Sequence, residues 1–243
     1  IFEKNTILSK IKSKTKNITN IFANNNFKLF ELNNDIIRIE NFYKEQGYKD
    51  VKVDFNRLGP NAGASIVVVG GCGGMGRCLV LGALNSGVNV TVFDLQSSIR
   101  KHPVPKNVDA VPIDATDQES VTNAFAQYIK NKPLDSLINL VGFKNDLIAV
   151  DKLNSSEWDE VIQGNLKSAF LICNTAIPHV SDGGTIVNVA SGLAARVLPG
   201  YSPYSASKAG LIALTKGIAI ENAPRIRANV VAPAAVKTAF LAG

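Results

Sequence analysis

Residues 61–243 predict an α/β fold built on a doubly wound parallel sheet, and three observations predict it. A continuous apolar run, S-I-V-V-V at 65–69, passes straight into the glycine-rich turn G-G-C-G-G-M-G and then into a helical pattern. That is the strand–turn–helix opening of a nucleotide-binding βαβ unit. Short β-branched runs then alternate with helical stretches, the order expected when crossover helices cover both faces of a parallel sheet. Finally, Gly70, Asp94, Asp114, Asn139 and Ser191 fall at or beside the carboxyl ends of those runs, where open α/β sheets bind ligands.

The segment ahead of the sheet has a different character. Residues 1–60 carry 11 Lys+Arg against 7 Asp+Glu, while the rest of the chain carries 15 against 13. The basic character therefore belongs to the amino-terminal segment, and no nucleic-acid partner is expected of the main domain. Residues 1–26 are rich in Lys, Asn, Ser and Thr and read as a solvated extension. Their basic residues are all lysines, which argues against an arginine-rich transit peptide. In residues 27–57, F-K-L-F-E-L reads as a short strand and N-D-I-I-R-I-E-N-F-Y-K-E-Q-G-Y as a helix. Asn34 or Asp35 caps that helix and Gly47 closes it. Y-K-D-V-K-V-D-F then alternates as a strand with one exposed face. This helix–strand piece resembles part of a polypeptide-transport-associated (POTRA) repeat of outer-membrane assembly proteins. The turn-rich stretch N-R-L-G-P-N-A-G-A at 56–64 sets the boundary between residues 1–60 and residues 61–243.

Composition sets outer limits. At 46% hydrophobic over 243 residues the chain can bury a sizeable core. No run of 18 apolar residues appears, so no membrane span is expected. Cys72, Cys78 and Cys173 are widely spaced without a zinc pattern and read as reduced thiols of a cytoplasmic protein. The chain begins at Ile1 and stops at A-F-L-A-G, so it reads as a piece of something longer.

Within the main domain each element has a reason. The glycines Gly70, Gly74 and Gly76, with Met75 between the last two, let backbone amides approach a pyrophosphate at a helix amino terminus. The next strand, N-V-T-V-F, ends in Asp94. A carboxylate there can accept hydrogen bonds from the ribose hydroxyls of an adenosine and repels a 2′-phosphate, so NAD is expected over NADP. V-D-A-V-P-I reads as a third strand leading to Asp114. A helix over 117–130 and a fourth strand, S-L-I-N-L-V-G, follow. S-S-E-W-D-E-V-I-Q-G-N-L-K-S-A-F-L-I-C-N-T-A-I-P reads as one long helix, opened by serine caps and carrying Asn165. T-I-V-N-V-A at 185–190 reads as a buried strand that delivers Ser191.

Tyr204 and Lys208 lie near the start of the following helix. Their i,i+4 spacing places them one turn apart on one face. A phenol beside an ammonium is an acid/base device, because the nearby positive charge favours the phenolate.

These motifs together resemble the short-chain dehydrogenases/reductases, over roughly residues 65–240. The family's T-G-x-x-x-G-x-G motif matches Val69 to Gly76, with valine in place of threonine. Its N-N-A-G motif appears as Asn139-Leu140-Val141-Gly142. Its tetrad appears as Asn165, Ser191, Tyr204 and Lys208, with Ser191 thirteen residues before Tyr204. Its P-G motif appears as Pro233-Ala234, with Val236 and Thr238 where the family contacts the nicotinamide carboxamide and the phosphates. The resemblance implies a Rossmann-like domain lacking the family's last strand. It also implies hydride transfer between NAD(H) and a secondary alcohol or ketone.

In that scheme Tyr204 is the general acid/base, and Lys208 holds the nicotinamide ribose and favours the tyrosinate. Ser191 binds the substrate oxygen, and Asn165 orders a water behind Lys208. Asp114 contacts adenine, Asn139 steadies the central sheet, and Gly142 lies at the cofactor. A homodimer through the helices carrying Asn165 and Tyr204 is also implied. The competing readings are a non-catalytic dinucleotide-binding or interaction fragment, and a chimera of two unrelated pieces.

Overall fold

The computed structural model describes residues 63–129, 134–144 and 146–233. The chain separates into two units, Ile1–Gly59 and Pro60–Gly243, and every described residue belongs to the second. The amino-terminal extension and the helix–strand piece of 27–57 lie outside the described residues, as do Ala234, Val236 and Thr238.

Six strands form one sheet: β1 (Ser65–Val69), β2 (Asn89–Asp94), β3 (Asp109–Pro112), β4 (Leu134–Asn139), β5 (Val180–Val189) and β6 (Arg227–Val231). All pair in parallel, in the order β3-β2-β1-β4-β5-β6. The chain winds outward from β1 to one edge and then returns to β4 to build the other half. The crevice at that reversal is where such sheets bind ligands.

Helices cover both faces: α1 (Gly74–Asn85), α2 (Gln96–Lys101), α3 (Gln118–Ile129), α4 (Ser155–Ile162), α5 (Ser168–Ala176) and α6 (Ser202–Asn222). The unbroken apolar run of β1 follows from this two-sided cover. Val67 and Val69 pack with Phe93, Phe125 and Ile172 on one face. Ile66 and Val68 pack with Val80, Val90 and Val92 on the other. Among the described residues no helix is long and apolar enough to cross a membrane.

The sequence reading and the structure part at several places. The single long helix around Asn165 is two helices, α4 and α5, joined by a π-helical segment at Gln163–Lys167. The serine caps give way to Asn154. Its side chain accepts from the Glu157 N–H at 2.9 Å, and the Glu157 carboxylate accepts from the Asn154 N–H at 3.1 Å. That reciprocal box satisfies two first-turn donors, and the serines fall inside the helix. β5 begins at Val180, earlier than the β-branched run, because Val180 already pairs with Leu134 before the register shifts. The short helix α2 was not foreseen.

Candidate active site

The glycine turn is made by its backbone. Gly70 has φ +80°, and a Cβ there would come within 3.2 Å of the Leu140 carbonyl carbon. A Cβ on Gly76 would collide with the Gly70 oxygen and the Gly71 backbone. So β1 and the start of α1 approach more closely than any other residue allows. The first turn of α1 holds no acidic side chain, which leaves its amide end suited to an anion.

Asp94 ties this turn down. One carboxylate oxygen accepts the Cys72 N–H at 2.8 Å, and the other accepts the Leu95 N–H at 2.8 Å. Burial, with Asp94 beside it, pushes the Cys72 thiol up to about 11, so Cys72 is a small packed residue and not a thiolate. Asp114, at the next strand end, accepts from the Thr116 amide at 2.9 Å and the Thr116 hydroxyl at 2.7 Å.

The second half of the site is carried by α6. Its buried residues Tyr204, Lys208, Leu211, Thr215 and Ile218 recur every three or four positions, one stripe facing the sheet. Pro203, in the first turn, suits a position whose N–H has no intrahelical partner. Lys208 is only 2% exposed, and its ammonium is turned inward. It donates to the Val141 carbonyl at 3.2 Å and the Val189 carbonyl at 3.1 Å. It also stands 5.8 Å from the centre of the Tyr204 ring. Burial drives its pKa down from 10.5 to about 8.

Tyr204 departs from the sequence reading. Spacing alone predicts a lysine that favours the phenolate. In the structure, burial raises the Tyr204 pKa, hydrogen bonding with Ser191 pulls it back, and Tyr201 adds to the rise. Lys208 lies over the ring and is turned to two backbone carbonyls, so desolvation of the phenolate wins. Ser191 follows β5, and its hydroxyl accepts the Leu193 N–H at 3.1 Å.

Asn165, fully buried in the π-helical segment, clamps Phe143. Its side-chain oxygen accepts the Phe143 N–H at 3.0 Å, and its NH₂ donates to the Phe143 and Val161 carbonyls at 2.6 and 2.8 Å.

One cavity of about 1630 Å³ joins these parts. Gly70, Gly74, Met75, Gly76, Asp94, Asp114, Gly142, Ser191, Tyr204, Lys208 and Pro233 all line it. Asn139 and Asn165 stand behind its wall. Sequence reasoning missed Phe143, Asn188 and Thr215. Asn188 carried a signal, as an amide inside the apolar run T-I-V-N-V-A. Thr215 carried another, two turns past Lys208 on one stripe.

A sheet of this order, with a glycine turn at its reversal and an open cavity at its strand ends, defines a Rossmann-type dinucleotide-binding protein. The family model for short chain dehydrogenase matches residues 64–243, and the chain belongs to that family of oxidoreductases. It is 32% identical over 186 residues to the 3-oxoacyl-[acyl-carrier-protein] reductase FabG of Thermotoga maritima, covering 72% of this chain and 75% of that one. Its fold is similar to ligand-free aldohexose dehydrogenase of Thermoplasma acidophilum, with TM-score 0.68, 27% identity and coverage of 74% of this chain and 69% of that one. It is likewise similar to a dehydrogenase/reductase of Sinorhizobium meliloti, with TM-score 0.67, 30% identity and coverage of 74% and 75%.

Proposed function

We propose that the chain transfers a hydride between NAD(H) and a secondary alcohol or ketone. The observation that carries this reading is the convergence of Ser191, Tyr204 and Lys208 on the cavity that the glycine turn opens into. The residues present suit a dinucleotide: Gly70 and Gly76 make a cradle that a Cβ would fill, at the amide end of α1. The bound dinucleotide would supply or accept the hydride at its nicotinamide ring.

Gly70, Gly74, Met75 and Gly76 hold the pyrophosphate on backbone amides. Asp94 accepts the adenosine ribose hydroxyls and disfavours a 2′-phosphate, which is the case for NAD over NADP. Asp114 stands at the adenine end. Gly142 and Pro233 flank the nicotinamide end, with Val236 and Thr238 assigned there by family resemblance. Tyr204, its pKa raised by burial, is protonated at neutral pH and donates that proton to the carbonyl oxygen during reduction. The Ser191 hydroxyl steadies the same oxygen as charge develops on it. Lys208, with its pKa near 8, exchanges protons close to neutral pH and sustains the supply to Tyr204. Asn165 closes the proton path behind Lys208 and fixes the wall at Phe143.

The relatives named 3-oxoacyl-[acyl-carrier-protein] reductase support a 3-oxoacyl thioester as the first substrate to assay. NADH fluorescence titration should give saturable binding that is tighter than for NADPH. Tyr204→Phe should keep that binding while turnover of acetoacetyl-coenzyme A falls by ~10²–10⁴. Full turnover by Tyr204→Phe would refute the acid/base assignment.

A further inference from the structure

Behind the cavity wall runs a chain of buried side-chain hydrogen bonds with a fixed direction. The Asn139 side-chain oxygen accepts the Val141 N–H at 3.1 Å. The Asn139 NH₂ donates to the Asn188 oxygen at 3.0 Å. The Asn188 NH₂ donates to the Thr215 hydroxyl at 3.0 Å, and that hydroxyl donates to the Leu211 carbonyl at 2.7 Å. Cys173 touches the same amide, with its sulfur 3.6 Å from the Asn188 NH₂. All three polar residues are at most 1% exposed.

Each link dictates the next. A backbone N–H can only donate, so Asn139 must present its oxygen to Val141 and its NH₂ to Asn188. Asn188 must then present its NH₂ to Thr215. The residue at 215 must accept one hydrogen bond and donate another, which a hydroxyl does and a methyl cannot. A polar chain this deep is stable only when every member is satisfied.

The two acceptors of the Lys208 ammonium adjoin this chain, Val141 at its first link and Val189 beside its middle member. Val141 is the residue whose N–H Asn139 holds, and Val189 directly follows Asn188 on β5. Asn139 and Asn188 face each other across the β4–β5 pairing. Thr215 stands on the α6 stripe that carries Lys208 and Tyr204. The chain thus joins the three elements that hold the ammonium: the end of β4, the end of β5 and α6. We propose that Asn188 and Thr215 are positioning residues that fix the Val141 and Val189 carbonyls as the seat of the Lys208 ammonium. This inference rests on the role given to Lys208 in the proposed function.

The test reads Lys208 directly and needs no substrate. In the full chain labelled with ¹⁵N-lysine, the Lys208 Nζ resonance is assigned through Lys208→Arg and followed against pH. Thr215→Val keeps the shape and removes the hydroxyl, while Thr215→Ser keeps the hydroxyl and removes the methyl. If the hydroxyl positions Asn188, Thr215→Val lowers the Lys208 midpoint by about half a pH unit or more, because an ammonium with loosened acceptors is less stabilised. Thr215→Ser then restores the native midpoint even if its melting temperature falls. An unchanged midpoint in Thr215→Val overturns the proposal. So does an equal shift in Thr215→Val and Thr215→Ser, which would mark a packing effect. If Thr215→Val folds poorly, Thr215→Ala reads the same relation. Failure here with Tyr204→Phe still inactive would leave the proposed function standing, whereas an active Tyr204→Phe would remove that function and leave the midpoints readable.

Discussion

The two halves of the sheet build their shares of the site by different means. The β1–β3 half uses backbone. Gly70 and Gly76 bring a strand end and a helix start together, and Asp94 spends its carboxylate on two main-chain amides. The β4–β6 half uses buried side chains. An ammonium, a phenol, three amides and a threonine hydroxyl sit on or behind the cavity wall. A diffuse, highly charged pyrophosphate is met well by amides whose positions the chain path fixes. A proton needs particular atoms held at particular separations, and only locked side chains supply that. It follows that the first half should fail when an atom is added, and the second when an atom or a charge is removed.

Gly76→Ala presses hardest on this contrast. The new methyl meets the Gly70 oxygen and the Gly71 backbone, neither of which is the flexible end of a side chain. The turn must open, with a loss of roughly 1–3 kcal/mol of stability and of the amide geometry the ligand needs. Saturable NADH quenching should vanish in a chain whose circular dichroism remains native-like. Retained affinity would mean the cradle is softer than its contacts indicate.

This half was also the more legible in the sequence, for the same reason. Close backbone approach demands glycine, so the spacing Gly70-x-x-x-Gly74-x-Gly76 states the geometry outright. β1 was read to the residue because a strand buried on both faces leaves an unbroken apolar run, and β2 because its β-branched stretch ends at Asp94. Tyr204 and Lys208 were legible as an i,i+4 pair, but the direction of the Tyr204 pKa was not, since spacing carries no information about burial. The π-helical segment at Gln163–Lys167 was hidden because nothing in Q-G-N-L-K marks a change of helical type within a continuous helical stretch. The Asn188–Thr215 bond joins residues 27 apart, and nothing local announces a contact that exists only once α6 packs on β5. Whatever structure belongs to residues 1–60, their altered composition reads as a boundary, and their helix–strand pattern lies outside the described residues.

The second half answers to charge. Lys208 has a folded pKa of about 8 against an ordinary 10.5. Between those values the unfolded chain holds a proton that the native chain has released, so stability rises with pH across that window. The full rise is on the order of 3 kcal/mol. Above pH 10 Tyr204 opposes it. Its folded pKa is raised, so the stability it contributes is present below the ordinary tyrosine value and is lost as pH climbs through the folded one. Urea unfolding at pH 7.5, 9 and 10.5, for the native chain and for Lys208→Met, separates the lysine from every other titrating group. The stability of the native chain relative to Lys208→Met should rise with pH between about 8 and 10.5, in step with Lys208 alone. Parallel curves would mean that the ammonium is better solvated than the burial of Lys208 implies.

The smallest effect sharpens the comparison from inside the backbone half, at its one working side chain. Asp94 holds the Cys72 and Leu95 amides and also lines the cavity, where the proposed function gives its charge the choice of cofactor. Asp94→Asn keeps one acceptor oxygen and removes the charge. If charge sets the cofactor preference, the ratio of NADPH to NADH dissociation constants should fall about tenfold, near 1.4 kcal/mol, with NADH affinity itself little changed. If the aspartate acts chiefly as a brace for the turn, both affinities should weaken together and the ratio should hold. In that event cofactor choice belongs to the cations Arg77 and Lys101, which line the same cavity. The backbone half would then recognise its ligand without using a single carboxylate for discrimination.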